Sequence, residues 1–168
     1  MTLDRFPKNK DKFVRLIKFF KEVLEICDEM NIVPVLNGSL AVFVFTKDQE
    51  MNVNDVDLFC SETEFPRIIN ALKERDIGYK LREWHVLQVL RDDLIVELDS
   101  VEYWYKDLPV ECEILQVDNH RVSMLGLNSL IEFYRQGMKN RAEKTDKNEK
   151  IKYETLKLKL EALEKIKS

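Results

Sequence analysis

The clearest signal along the chain is a change in hydrophobic period. From 13 to 30, apolar residues fall at Phe13, Leu16, Ile17, Phe20, Val23, Leu24 and Cys27, the stripe of a helix with one buried face. Residues 32–36 are short, apolar and β-branched and predict a strand, as do residues 55–60. Helical spacing returns over 63–75, with Phe65, Ile68, Ile69 and Leu72 on one side. Pro66 falls in the first turn, where a missing N–H is harmless. The period then drops to two. Residues 79–84, 86–90 and 94–101 predict consecutive strands, the last two joined by a turn at Asp92 and Asp93. Residues 111–117 and 121–125 add a further pair. From Leu127 the spacing is helical again, through Leu130, Ile131, Phe133 and Tyr134. A polar gap, NRAEKTDKNEK, precedes a last helix with Tyr153, Leu156, Leu160 and Leu163 on a narrow seam. That seam is a packing face and could also join two subunits in a homodimer.

This order predicts an α+β domain with a mixed or antiparallel sheet, flanking helices and a C-terminal helical hairpin. Residues 1–125 form the expected α/β core, and residues 126–168 the helical segment packed on it. One stretch reads two ways. In VPVLNGSLAVFVF, residues 33–45, Asn37-Gly38 between apolar runs is a strong hairpin signal. Yet Leu40 to Phe45 is apolar without alternation, which a strand with one wet face would show. A buried helix with Ser39 near its N-cap explains the run equally well.

Composition narrows the possibilities. The 168 residues suit one domain, with 45% hydrophobic and 35% charged residues, and only four glycines and four prolines speak against long disorder. A formal charge of −4 supplies no overall basic field, so a nucleic-acid partner is not expected. No run approaches a membrane span, and MTLDRFPKNKDKF lacks the apolar core of a signal peptide. Cys27, Cys60 and Cys112 are widely spaced in apolar contexts and read as buried reduced thiols, which suits the cytoplasm. His85 reads as structural or superficial and His120 as exposed. Without a second nearby histidine or a Cys-x-x-Cys, zinc is not expected.

The carboxylates change the picture most. Asp55 and Asp57 leave one face of a strand about 6–7 Å apart. At ~6 Å two like charges repel by on the order of 3 kcal/mol at an effective dielectric near 20, so the pair belongs in water or around a cation. In LIVELDSV, Leu94, Val96 and Leu98 face one side, and Ile95, Glu97 and Asp99 the other. If the two strands are neighbours, three or four carboxylates converge in an oxygen-rich set suited to Mg²⁺.

The sequence Leu36-Asn37-Gly38-Ser39, then Asn54-Asp55-Val56-Asp57-Leu58-Phe59, then Glu97 resembles the nucleotidyltransferase superfamily that includes DNA polymerase beta. The likeness is greatest to its minimal members and to the antibiotic and toxin-system adenylyltransferases. The spacer TKDQEMN is somewhat longer than usual. The resemblance implies that Gly38-Ser39 ends a strand and starts a helix facing a phosphate, so residues 39–45 are expected to be helical. It also implies transfer of a nucleoside monophosphate, with ATP the favoured donor, to a hydroxyl of a small molecule or protein. Asp55, Asp57 and Glu97, or Asp99 in place of Glu97, would hold two Mg²⁺ ions. Gly38 and Ser39 would bind the nucleotide. Lys139, Arg141 and Lys144 could assist, or form a solvated charge run. Silent members exist, so the alternative is a binding or regulatory module of antitoxin type.

Overall fold

The computed structural model describes residues 5–104, 111–142 and 146–167. Its elements run α1 (Lys10–Glu29), β1 (Val35–Asn37), α2 (Gly38–Thr46), β2 (Val56–Cys60), α3 (Phe65–Glu74), β3 (Gly78–Arg82), β4 (Val86–Arg91), β5 (Leu94–Ser100), α4 (Val101–Trp104), β6 (Cys112–Val117), β7 (His120–Leu125), α5 (Leu127–Lys139) and α6 (Lys147–Lys167). The described strands form one mixed sheet in the order β3-β4-β5-β2-β1-β7-β6. β2 runs parallel to β5 and β1 parallel to β7, while the other neighbours are antiparallel.

The α1 stripe is buried from Phe13 to Cys27, and α1 packs against α3 and the sheet. Its exit shortens the strand expected at 32–36. Asn31 adopts a left-handed φ of 56°, and the Ile32 amide returns to the Cys27 carbonyl at 2.9 Å. Those residues close the helix, and Pro34 has no N–H for a ladder. Pairing therefore begins at Val35.

Residues 38–46 are a helix, not the second arm of a hairpin. α2 is apolar on every side because it is buried on every side from Gly38 to Phe43. It carries the chain between β1 and β2, which then pair antiparallel to each other.

The alternation in β1, β2, β5 and β4 sorts side chains into rows across the sheet. Leu36, Leu58, Leu98 and Leu87 are register partners and are all fully buried. One residue along, on the opposite face, the row reads Asn37, Asp57, Glu97 and Gln88. Phe59, two residues beyond Asp57, meets the α5 residue Phe133 edge to face at 5.6 Å. α5 and α6 pack on each other and on α2.

Several expected boundaries move. The polar gap closes at Lys147, because Asp146 caps α6 by accepting from the amides of Asn148 and Glu149 at 2.8 and 3.2 Å. The last seam packs within the chain, with Leu163 fully buried and Leu156 and Leu160 against the core. β3 spans 78–82, and Trp84 lies exposed in the turn before β4. Asp55 precedes β2 and Val101 begins α4.

Cys27 and Cys60 are buried free thiols, but Cys112 is exposed, as the first residue of β6 at the sheet edge. His85 serves structure. It pairs with Glu62 at 2.9 Å and stacks on Tyr103 at 4.4 Å. His120 is not exposed as expected; its side chain is 15% exposed because it packs by α1 and pairs with Asp28 at 2.8 Å. Among the described residues no helix is long and apolar enough to cross a membrane.

Candidate active site

The sheet brings together the carboxylates that the sequence kept apart. Asp57 stands opposite Glu97 in the parallel β2–β5 pair, and Asp99 lies two residues further along the same face. Asp55 is positioned by the irregular segment that leads into β2. All four are partly buried. Burial pushes the Asp57 carboxyl well above the usual aspartate range, and the charges of Asp55, Asp99 and Glu97 push it further. The Asp99 carboxyl is pushed up to about 7, first by burial and then by Glu97 and Asp55.

On the other side of Asp57, β1 ends at Asn37 and α2 begins at Gly38. Gly38 has a φ of +65°, and a Cβ placed there would lie 1.8 Å from Asp57 Oδ2. The glycine thus serves two purposes, a left-handed backbone and room for the aspartate. Asn37 is 2% exposed, and its amide nitrogen has no hydrogen-bond partner. A buried donor left unpaired costs about 1–3 kcal/mol.

Among the described residues the site's cation is Lys159, which sequence reasoning missed. From α6 its ammonium donates to Ser39 Oγ at 2.6 Å and lies 5.9 Å from the Tyr134 ring centre. Burial lowers its pKa, against the opposing pull of Asp57 and Asp55. Tyr134 senses the same acids: burial, then Asp57 and Asp55, raise its hydroxyl well above the ordinary value. A signal was present in the sequence, since Lys159 is flanked on the helical seam by Leu156, Leu160 and Leu163. A lysine among packing positions points at something that neutralises it.

Two of the other expected cations, Lys139 and Arg141, are among the described residues. Lys139 is exposed at the end of α5. Arg141 donates to the Gly137 carbonyl at 3.2 Å and pairs with Glu149 at 3.3 Å, bracing α5 against α6. It borders a cavity of about 160 Å³ with Trp104, Phe133 and Tyr134. Lys144 lies outside the described residues. A larger cleft of about 440 Å³ opens beside the acids, lined by Ser39, Asn52, Asn54, Asp55, Thr155 and Lys159.

Three features bear on a divalent ion. Every candidate ligand is a carboxylate, as Mg²⁺ prefers. Asn37 offers an unused buried donor next to Asp57, the kind of group that an anionic ligand carried with the metal would take up. Among the described residues no three acidic, imidazole or thiol groups are already closed around one point. The donor set suits the group by its chemistry, while the described side chains do not enclose it.

If Lys159 meets a triphosphate, Lys159→Met should raise the nucleotide KM by about ten- to a hundredfold, the worth of one charged hydrogen bond. Steady-state kinetics would show it, and an unchanged KM would remove Lys159 from the binding set.

The fold is that of the nucleotidyltransferase superfamily. An antigenic nucleotidyltransferase-like protein from Paracoccidioides brasiliensis superposes with a TM-score of 0.64 at 13% identity, over 94% of this chain and 78% of that one. The antibiotic-resistance factor ANT(2'')-Ia matches with a TM-score of 0.61 at 13% identity, over 91% of this chain and 89% of its own. It has also been crystallised in complex with adenylyl-2''-tobramycin. The lincosamide antibiotic adenylyltransferase LnuA, in a lincomycin-bound structure, matches with a TM-score of 0.57 at 10% identity, over 89% of this chain and 96% of its own. No family model matches the sequence, and no curated protein matches it.

Proposed function

We propose that this chain is a Mg²⁺-dependent nucleotidyltransferase that moves a nucleoside monophosphate, AMP for preference, from its triphosphate to a hydroxyl of a small molecule or protein. The observation that carries this reading is the pairing of Asp57 with Glu97 beside Gly38, with Ser39 at the head of α2 and the α6 residue Lys159 bonded to it. The preference for AMP is supported by the adenylyl product and the adenylyltransferase among the structural neighbours.

Asp55, Asp57 and Glu97 would hold two Mg²⁺ ions, which when bound polarise the α-phosphate and lower the pKa of the attacking hydroxyl. The triphosphate lies in the cleft. Ser39 donates its hydroxyl hydrogen to a phosphate oxygen, and Lys159 turns its ammonium from Ser39 towards the same group. The Asn37 amide supplies its unused hydrogen to the phosphate nearest Asp57. The acceptor oxygen forms its bond to the α-phosphorus, the bond between that phosphorus and the bridging oxygen of the β-phosphate breaks, and pyrophosphate departs. The acceptor's proton would pass to a carboxylate oxygen of the third acid, Glu97 or Asp99.

The test has two measurements. With Mg²⁺, one of the four common nucleoside triphosphates at a hundred times its Kd should stabilise the fold by about 2.7 kcal/mol, read as a rise in Tm. Pyrophosphate release should then appear with one member of a panel of hydroxyl compounds and candidate proteins. No rise in Tm with any triphosphate would move the protein to the silent binding module instead.

A further inference from the structure

We propose that Gln88 and Arg82 are positioning residues that hold Glu97 in one orientation, making it the third carboxylate of the site in preference to Asp99. The inference rests on the reading of the acids as a nucleotidyl-transfer site.

Gln88 is a polar residue on an interior strand, 8% exposed, and the register partner of Glu97. Its amide nitrogen donates to Glu97 Oε1. Its amide oxygen accepts from Arg82 Nε at 2.7 Å. A glutamine amide could be turned either way, but an arginine offers donors only. The carbonyl must therefore face Arg82, which leaves the NH₂ facing Glu97. Arg82 is itself held, with its guanidinium 5.5 Å from the Trp84 ring centre at the tip of the β3–β4 turn. The chain Trp84–Arg82–Gln88–Glu97 thus runs from the sheet edge to the acids.

Two consequences follow for Glu97. One carboxylate oxygen is occupied, so the side chain is kept from sampling rotamers, and Oε2 remains for an ion. Partners of this kind behind a metal ligand are worth about 10- to 100-fold in affinity or activity when removed.

The test is Gln88→Leu, which keeps the bulk and removes the donor. In the full chain, kcat should fall 10- to 100-fold, with KM for the triphosphate unchanged, because the triphosphate lies on the Ser39 and Lys159 side. Independently of turnover, Mn²⁺ affinity measured by electron paramagnetic resonance with a non-hydrolysable triphosphate should weaken at least tenfold. Arg82 is near the edge and gives a second pair should the leucine variant unfold. Arg82→Met should show part of the same loss, and Arg82→Lys, which still donates, should recover most of it. Parent values of kcat and Mn²⁺ affinity in both Gln88→Leu and Arg82→Met would overturn the proposal while leaving the enzyme reading intact. A parent protein that neither turns over nor binds Mn²⁺ would overturn the enzyme reading, and the proposal with it.

Discussion

Gly38→Ala should abolish nucleotidyl transfer and weaken the fold together. The added methyl would sit 1.8 Å from Asp57 Oδ2, where no atom can stay, and the backbone φ of +65° is one that alanine adopts at a cost of about 1–2 kcal/mol. Asp57 must swing away from Glu97, so transfer should fall as far as it does on losing Asp57 itself, and urea denaturation should report a loss of about 1–3 kcal/mol. Repeating the substitution in an Asp57→Ala background separates the two causes. There the collision is gone and only the backbone cost remains, so the second loss should be smaller than the first. Equal losses in both backgrounds would show that Gly38 answers only to its own φ.

The second large effect is Asp57→Asn. Transfer should drop on the order of a thousandfold, about 4 kcal/mol of barrier. Metal-free stability should rise by on the order of 1 kcal/mol at a pH where all four acids are ionised, because one of four crowded negative charges has gone. Linkage gives the pH course. Asp57 and Asp99 both hold their protons more tightly folded than unfolded, so the metal-free fold binds more protons than the unfolded chain. Stability from these groups is greatest near the ordinary aspartate value, about pH 4, declines as pH rises, and for Asp99 levels off above about 7. Asp99 accounts for on the order of 3 kcal/mol across that interval. Saturating Mg²⁺ with triphosphate should flatten the slope. A metal-free Tm that climbs steadily from pH 4 to 8 would show that the acids are solvated and do not crowd.

Much of this site is legible in the sequence because two periodicities do the placing. Alternation puts Asp57 opposite to Val56 and Leu58, and Glu97 opposite to Val96 and Leu98. Once the strands pair, four acids have to meet. The helix at 38–46 is harder to see: an all-apolar run fits a buried helix and a buried strand alike, and the family pattern, not the periodicity, favours the helix. Lys159 and Gln88 were missed for a different reason. Each becomes meaningful only through a partner distant in sequence: Ser39 lies 120 residues from Lys159, and Glu97 is aligned with Gln88 only by the β4–β5 register. The Arg141–Glu149 pair was hidden for the same reason, since a basic run does not show which member has an internal carboxylate waiting.

The neighbouring rows of the sheet limit how such a site can change. Leu36, Leu58, Leu98 and Leu87 lie one position from Asn37, Asp57, Glu97 and Gln88. Sliding one strand by a single residue would send an acid into the leucine layer and lift a leucine into the acid row. Misfolding and loss of the acid row are therefore the same event at these strands, and a well-folded slipped sheet has no place to exist. A lineage can alter this site by exchanging side chains where they stand, or by lengthening the β3–β4 and β4–β5 turns at the sheet's margin. An inserted residue within β2 or β5 is closed to it.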